Sequence, residues 1–401
     1  MRHTLLTLLL LFSLAPAYAQ YAGTTGLTEK GLARYGDWIE REIDAGTLPM
    51  AETIIFRNGT LAYHNVQGVS DLTTGTPLQE NQLYHLMSMT KPIVSVAIMM
   101  LYQEGLFQLT DPVSKYLPEF KNLRVAKNTD EGIGVATVPA ESQVTIEQVL
   151  AHTAGFSHGL GGTKLDNEIA RELYFKPKAD LASRVNTLAT LPLVGQPGEQ
   201  WYYSASPDIL ARLIEVFSGQ TVAEFLQERL FDPLGMADTG YNIPADQASW
   251  LVANHTATDS SLTRAAMQLP SSGNTIFGGT HGLYSTAQDY LRFARMLLNK
   301  GELDGRQYLS PKTVELMTRN HVGDMREDGQ GFGLGFGIIT DVAEYGTISS
   351  EGQYFWSGAY STYFFVDPAE NMIAIMMSQR SPYSGYLERK FRQMVYQALG
   401  E

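Results

Sequence analysis

Tyr84-His-Leu-Met-Ser88-Met-Thr-Lys91-Pro92-Ile-Val-Ser-Val-Ala-Ile-Met-Met-Leu-Tyr-Gln-Glu-Gly105-Leu-Phe107 is the stretch from which the rest of the chain can be read. After Lys91 the residues are almost all apolar up to Gly105, the pattern of a buried helix closed by a glycine. Pro92 sets where that helix begins. Proline lacks an N–H and clashes with the carbonyl four residues back, here that of Ser88, so regular helix cannot extend much before Ser88. Ser88 therefore sits at a helix mouth, where backbone N–H groups lack partners and the dipole favours negative charge. Lys91 follows three residues later and shares its face. A hydroxyl, an amine to take its proton and a free N–H for an oxyanion fall within one turn, the layout of an activated nucleophile. Ser-x-x-Lys alone is weak, since about one match arises by chance in a chain of average composition. The bland alternative is a capping serine with a snorkelling lysine. Position favours the nucleophile: Lys91 opens an apolar helix, where a charged amine is costly unless paired or neutral.

The whole chain has 401 residues, 44% hydrophobic and 18% charged, enough for one large or two closely packed globular domains. Its net charge of −13 argues against binding nucleic acid or anionic membrane surfaces. Arg2 and His3 are followed by an apolar stretch, Leu5 to Leu14, too short to span a bilayer. Ala17-Tyr18-Ala19 then offers small residues at −3 and −1. This predicts a signal peptide over residues 1–19, cut after Ala19, and a periplasmic or secreted protein. The chain has no cysteine, which excludes a lipoprotein anchor, disulfides, a thiol nucleophile and a cysteine metal site. No second apolar segment reaches transmembrane length, so no stable membrane insertion is expected.

Strand signals gather at the two ends. An amphipathic helix is predicted over 26–45, beginning near Thr28. Asn58-Gly59 between β-branched runs predicts a hairpin, and a third strand is expected near Gln67–Leu72. From about 110 to 260 the pattern is helix and loop: a short helix after Asp111-Pro112, a polar loop over 122–143, a helix over 144–155, a surface loop at 157–163, and helices at 165–175, 178–190, 207–218 and 222–230. Then come a glycine turn at 278–282, a helix to about Asn299 and another at 311–319. Strands follow at 331–341 and 352–378, with a turn at Asp367–Asn371, and the chain closes on a helix over 386–399. The expectation is an α/β fold with an inserted all-α part: a mixed antiparallel sheet flanked by helices, built from 20–110 and 265–401, beside a helical domain over 111–264, with the site at their interface.

Several stretches then form a set: Ser88-Met-Thr-Lys91-Pro, Leu150-Ala-His-Thr-Ala-Gly155, Pro197-Gly-Glu-Gln-Trp-Tyr-Tyr203-Ser204, Asp232-Pro-Leu-Gly-Met236, Gly282-Leu-Tyr-Ser-Thr-Ala-Gln-Asp-Tyr290 and Trp356-Ser-Gly358-Ala359. Together they resemble the serine β-lactamase and penicillin-binding-protein superfamily on its class C side, over residues 30 to 395. In motif the chain is most similar to family VIII carboxylesterases. The resemblance implies Ser88 as nucleophile, Lys91 as its partner and Tyr203, from a Tyr-Ser-Asn motif ending here in Ala205, as the proton-exchanging phenol. A lysine beside a phenol is expected to lower its pKa, so that the phenol works as a base. The third motif, Lys-Thr-Gly, becomes Trp356-Ser357-Gly358. Gly358 is expected to let the acyl group approach, with the N–H groups of Ser88 and Ala359 as oxyanion donors.

Ala205 and Trp356 remove an amide and a cation that β-lactamases aim at their substrates, which favours small esters over β-lactams. A peptidase acting on D-amino-acid or linearised cyclic peptides is the alternative, with weak β-lactamase activity beside it. A penicillin sensor that keeps Ser88 but does not turn over is a further one. His152 is expected beside the site as a structural residue, and His281, in the glycine loop, as a cleft residue. Neither has a metal-spaced partner, so neither metal nor cofactor is expected. No Gly-x-Ser-x-Gly elbow supports a Ser-His-Asp triad.

Overall fold

The computed structural model describes residues 25–400, so the leader predicted over 1–19 lies outside the described residues. A 3₁₀ turn, Met87–Met89, leads into the central helix, Thr90–Gln103. Every residue from Thr90 to Leu101 is buried, as an apolar run without a polar face requires. Gly105, at φ +83°, closes the helix.

An eight-stranded antiparallel sheet packs against it. Its strands are β1 (Met50–Arg57), β2 (Thr60–Asp71), β3 (Thr76–Pro77), β4 (Gln330–Phe332), β5 (Gly337–Ile339), β6 (Tyr354–Gly358), β7 (Thr362–Asp367) and β8 (Met372–Met377), in the order β4-β5-β6-β7-β8-β1-β2-β3. The hairpin between β1 and β2 turns on Asn58 and Gly59, both with positive φ (52° and 79°), the conformation that makes Asn-Gly a hairpin signal. Strand β1 pairs on its other side with β8, from Glu52 opposite Met377 to Arg57 opposite Met372. The middle of the sheet is thus a seam between the two ends of the chain.

Alternation along β1 divides the apolar residues between two cores. Met50 and Ile54 face the core that holds the central helix and continues into the helices Leu181–Thr190, Pro207–Ser218 and Ala287–Leu298. Ala51 and Ile55 face a second core, roofed by the first helix, Glu29–Asp44, and the last, Gly385–Tyr396. Thr28 caps the first helix by accepting the Gly31 N–H at 3.1 Å. Among the described residues no helix is long and apolar enough to cross a membrane.

Three elements differ from expectation. The strand expected at 67–72 is the far end of β2, which runs unbroken from Thr60 to Asp71; Gly68, at φ +89°, packs against the Pro49 carbonyl and Met50 without ending the strand. The polar loop over 122–143 holds a short hairpin, Arg124–Ala126 with Thr137–Pro139. The helix over 144–155 is only Ile146–Leu150, because His152 turns into the left-handed region at φ 58°.

Candidate active site

The turn before the central helix is bent at Met87, a non-glycine residue at φ 50°. Such a conformation costs on the order of 1–3 kcal/mol and persists only where the surroundings fix it. Here the Leu86 N–H donates to the Leu283 carbonyl at 2.9 Å, and the Leu86 side chain is fully buried. The first 3₁₀ bond of the turn runs from the Met89 N–H to the Leu86 carbonyl. The Ser88 N–H, one residue earlier, falls outside that ladder and is free to serve as a donor.

Lys91 is 1% exposed. Its Nζ donates to Ser88 Oγ at 3.2 Å and to the Thr280 carbonyl at 2.9 Å. Thr280 is fixed in turn by its own N–H, which donates to Asp208 Oδ1 at 2.8 Å. The Tyr203 ring lies beside the amine, with Nζ 4.6 Å from its centroid. Tyr202 points elsewhere: its hydroxyl bonds to Asp166 at 2.9 Å, under the 157–163 loop. The structure therefore brings Ser88, Lys91 and Tyr203 together and leaves Tyr202 out.

On the opposite wall β6 carries Trp356, Ser357 and Gly358 and leads into Ala359. Trp356 packs against Tyr203 and Phe332, with centroids 5.3 and 5.2 Å away. Ser88, Tyr203, Trp356, Gly358 and Ala359 all line one cleft of about 730 Å³. Gly358 also has a role in packing. A Cβ there would overlap the Leu86 carbonyl and Thr362 Oγ1, so the missing side chain lets β6 press against the turn that carries Ser88.

The two histidines stand behind the cleft, not on its wall. His152 is buried behind Tyr203, at 5.1 Å between rings, and joins Ser204 Oγ at 2.9 Å. Ser204 donates on to Ser206, and Ser206 to the Val149 carbonyl. His152 thus holds the loop that delivers Tyr203. His281 is half-buried and packed on Tyr174, at 5.3 Å between rings, with desolvation driving its pKa down to about 4; it is not among the residues that line the cleft with Ser88, where it was expected.

A family model described as Beta-lactamase matches residues 37–399. The chain belongs to the β-lactamase family. It is 28% identical over 372 residues to the esterase EstB of Burkholderia gladioli, covering 86% of this chain and 90% of that one. It is 27% identical over 376 residues to a lovastatin esterase of Penicillium rubens, covering 84% and 91%. Among solved structures, EstCE1, a hydrolase with promiscuous acyltransferase activity, superposes with a TM-score of 0.78 at 23% identity, covering 92% of this chain and 99% of that one. The fold is therefore that of the β-lactamases and transpeptidases, and the chain is a serine hydrolase of that family.

The electrostatics of this β-lactamase-family site differ from expectation in one respect. Burial pulls the Lys91 amine down to about 7, and the Asp208 carboxylate pulls it partly back. Burial also pushes the Tyr203 phenol well up, although Ser88 and the Trp356 indole favour its anion. Its hydroxyl is buried without a well-formed hydrogen bond. The phenol is therefore not lowered into a base. Lys91, about half of it neutral at pH 7, is the better acceptor for the Ser88 proton, and the protonated phenol is suited to donate. Sequence reasoning missed Thr280 and Asp208, and also His158, which stacks on Tyr203 at 5.3 Å. Only Ser88 and Lys91 are local enough to announce one another.

Proposed function

We propose that this chain is a carboxylesterase of small esters, working through an acyl-enzyme on Ser88. The observation that carries the reading is Lys91, buried, bonded to Ser88 Oγ and held near neutrality. In the proposed cycle the Lys91 amine takes the Ser88 proton as Oγ adds to the ester carbonyl. The oxyanion rests on the N–H groups of Ser88 and Ala359. As the tetrahedral species collapses, the Tyr203 hydroxyl protonates the departing alkoxide and regains a proton from the Lys91 ammonium. Water then attacks the acyl-enzyme, giving up its proton to the same amine, and Ser88 leaves with it restored. Trp356, where a lysine would meet a β-lactam carboxylate, and Ala205, where an amide would stand, support esters over β-lactams. The esterase names of two relatives point the same way.

The deciding experiment compares nitrophenyl butyrate with a chromogenic cephalosporin and follows fluorophosphonate labelling. The expected result is a higher kcat/KM on the ester, a label on Ser88, and loss of both label and turnover in Ser88→Ala. A better cephalosporin substrate, or a label elsewhere, rejects the reading. We also propose export, on the Ala17-Tyr18-Ala19 site; an intact mass that retains residues 1–19 in the native protein rejects it.

A further inference from the structure

Trp356 takes away the cation that the third motif would supply, yet another cation stands in the same cleft. Arg326 lines it together with Ser88 and Trp356. Its guanidinium lies over the Trp201 ring, 4.2 Å from the centroid, and Trp201 stacks on Tyr203 at 6.3 Å. Arg326 is thus separated from Lys91 by an indole and a phenol. Its Nη2 donates to Gln330 Oε1 at 2.9 Å. Among the described residues no carboxylate comes within 4.0 Å to form an ion pair with it. Glu388, also on the cleft wall, is bonded to Arg392 at 2.7 Å; Asp328 and Glu344 are exposed, and Arg389 adds a second positive charge.

A guanidinium does not give up its proton, and a half-buried one without a counter-ion has lost part of its hydration with no charge to replace it. Burial works against its charge here, and Glu388 and Asp328 restore only part of what is lost. The free edge of a guanidinium fork suits the two oxygens of a carboxylate. We propose that Arg326 anchors a carboxylate of the substrate, so that the preferred esters carry an anionic group about two aromatic rings from the bond that is broken. The inference rests on the reading of Ser88 as the acylated residue and adds a substrate class to it.

The test uses three probes: neutral nitrophenyl butyrate, the nitrophenyl half-ester of glutarate, with its carboxylate on the acyl side, and the butyrate ester of 4-hydroxybenzoate, with its carboxylate on the alcohol side. One charged ester is expected to exceed the neutral one in kcat/KM, mainly through KM, and the better of the two tells which side of the ester meets Arg326. In Arg326→Gln the charged-to-neutral ratio is expected to fall about tenfold or more, the size of a lost charge-assisted bond, and in Arg326→Lys by less. A ratio that does not change, or no preference for either charged ester in the wild type, overturns the proposal. Protection by glutarate of Ser88 against fluorophosphonate is read in parallel. Protection that is present in wild type and lost in Arg326→Gln supports the carboxylate site even where no ester is turned over, which separates it from failure of the esterase reading. Equal protection, or none in either protein, overturns it.

Discussion

Lys91 must be neutral to accept the Ser88 proton, and burial holds its amine at about 7. The acid limb of kcat/KM is therefore expected near pH 7. Asp208 reaches that amine through the Thr280 peptide. Asp208→Asn keeps an oxygen for the Thr280 N–H but removes the charge that favours the ammonium, so the limb should move to lower pH. A pH–rate profile that stays in place would show that Asp208 only holds the loop. Burial of Lys91 also has a sign in stability. Its folded pKa lies below the ordinary 10.5, so between about 7 and 10.5 the unfolded chain binds more protons and stability rises with pH; below about 7 the penalty is complete. Lys91→Met removes it, and the expected outcome is a higher Tm at pH 6 with turnover abolished. A lower Tm would mean that the bonds to Ser88 and Thr280 outweigh the cost of burial. At this scale the sequence was legible where chemistry is local. Ser88 and Lys91 sit one turn apart, whereas Asp208, Thr280 and Arg326 reach the site only through folding. The run Trp201-Tyr202-Tyr203 could not separate its tyrosines, since only the fold ties one of them to Asp166.

Among the elements, β6 and the Ser88 turn are the pair on which the site depends. Their contact requires a residue without a side chain at position 358, where a Cβ would meet the Leu86 carbonyl. Gly358→Ala is expected to push the strand off the turn, moving the Ala359 N–H away from the oxyanion. A fall in kcat of at least about tenfold is expected, since losing one such donor typically costs 10²–10³; KM should change less. Near-normal kcat in a folded variant would show that the strand adjusts. Long elements with strong patterns were readable: the central helix, the Asn58-Gly59 hairpin and the Asp367–Asn371 turn. The hairpin of Arg124–Ala126 and Thr137–Pro139 was not, because three-residue strands leave no alternation to detect. The helix stop at His152 was missed because a histidine takes the first left-handed turn, three residues before Gly155, which is left-handed too.

Over the whole molecule, the central helix covers one face of the sheet and the two terminal helices close the other, the last of them reaching the cleft wall with Glu388 and Arg389. Phe391, on the last helix, is 1% exposed and packs against Tyr35 and Phe365 with centroids 6.4 and 5.7 Å away. Phe391→Ala is expected to destabilise the protein by about 3–5 kcal/mol, read as a lower denaturation midpoint. Ser88 should still label at low temperature, because Phe391 itself does not line the cleft; labelling lost while the protein remains folded would show that the two faces are coupled. That the sheet draws on both ends was legible, since strand signals lie on either side of a helical middle. The seam of β1 with β8 joins residues nearly the whole chain apart, and this has a consequence during synthesis. Strand β1 leaves the ribosome hundreds of residues before its partner, with one edge open to pairing with other chains. Ser88 and Lys91 emerge early as well, but without Tyr203, Thr280 or Ala359 beside them. A half-made chain thus holds the nucleophile without its site, and the site is completed only when translation is almost finished.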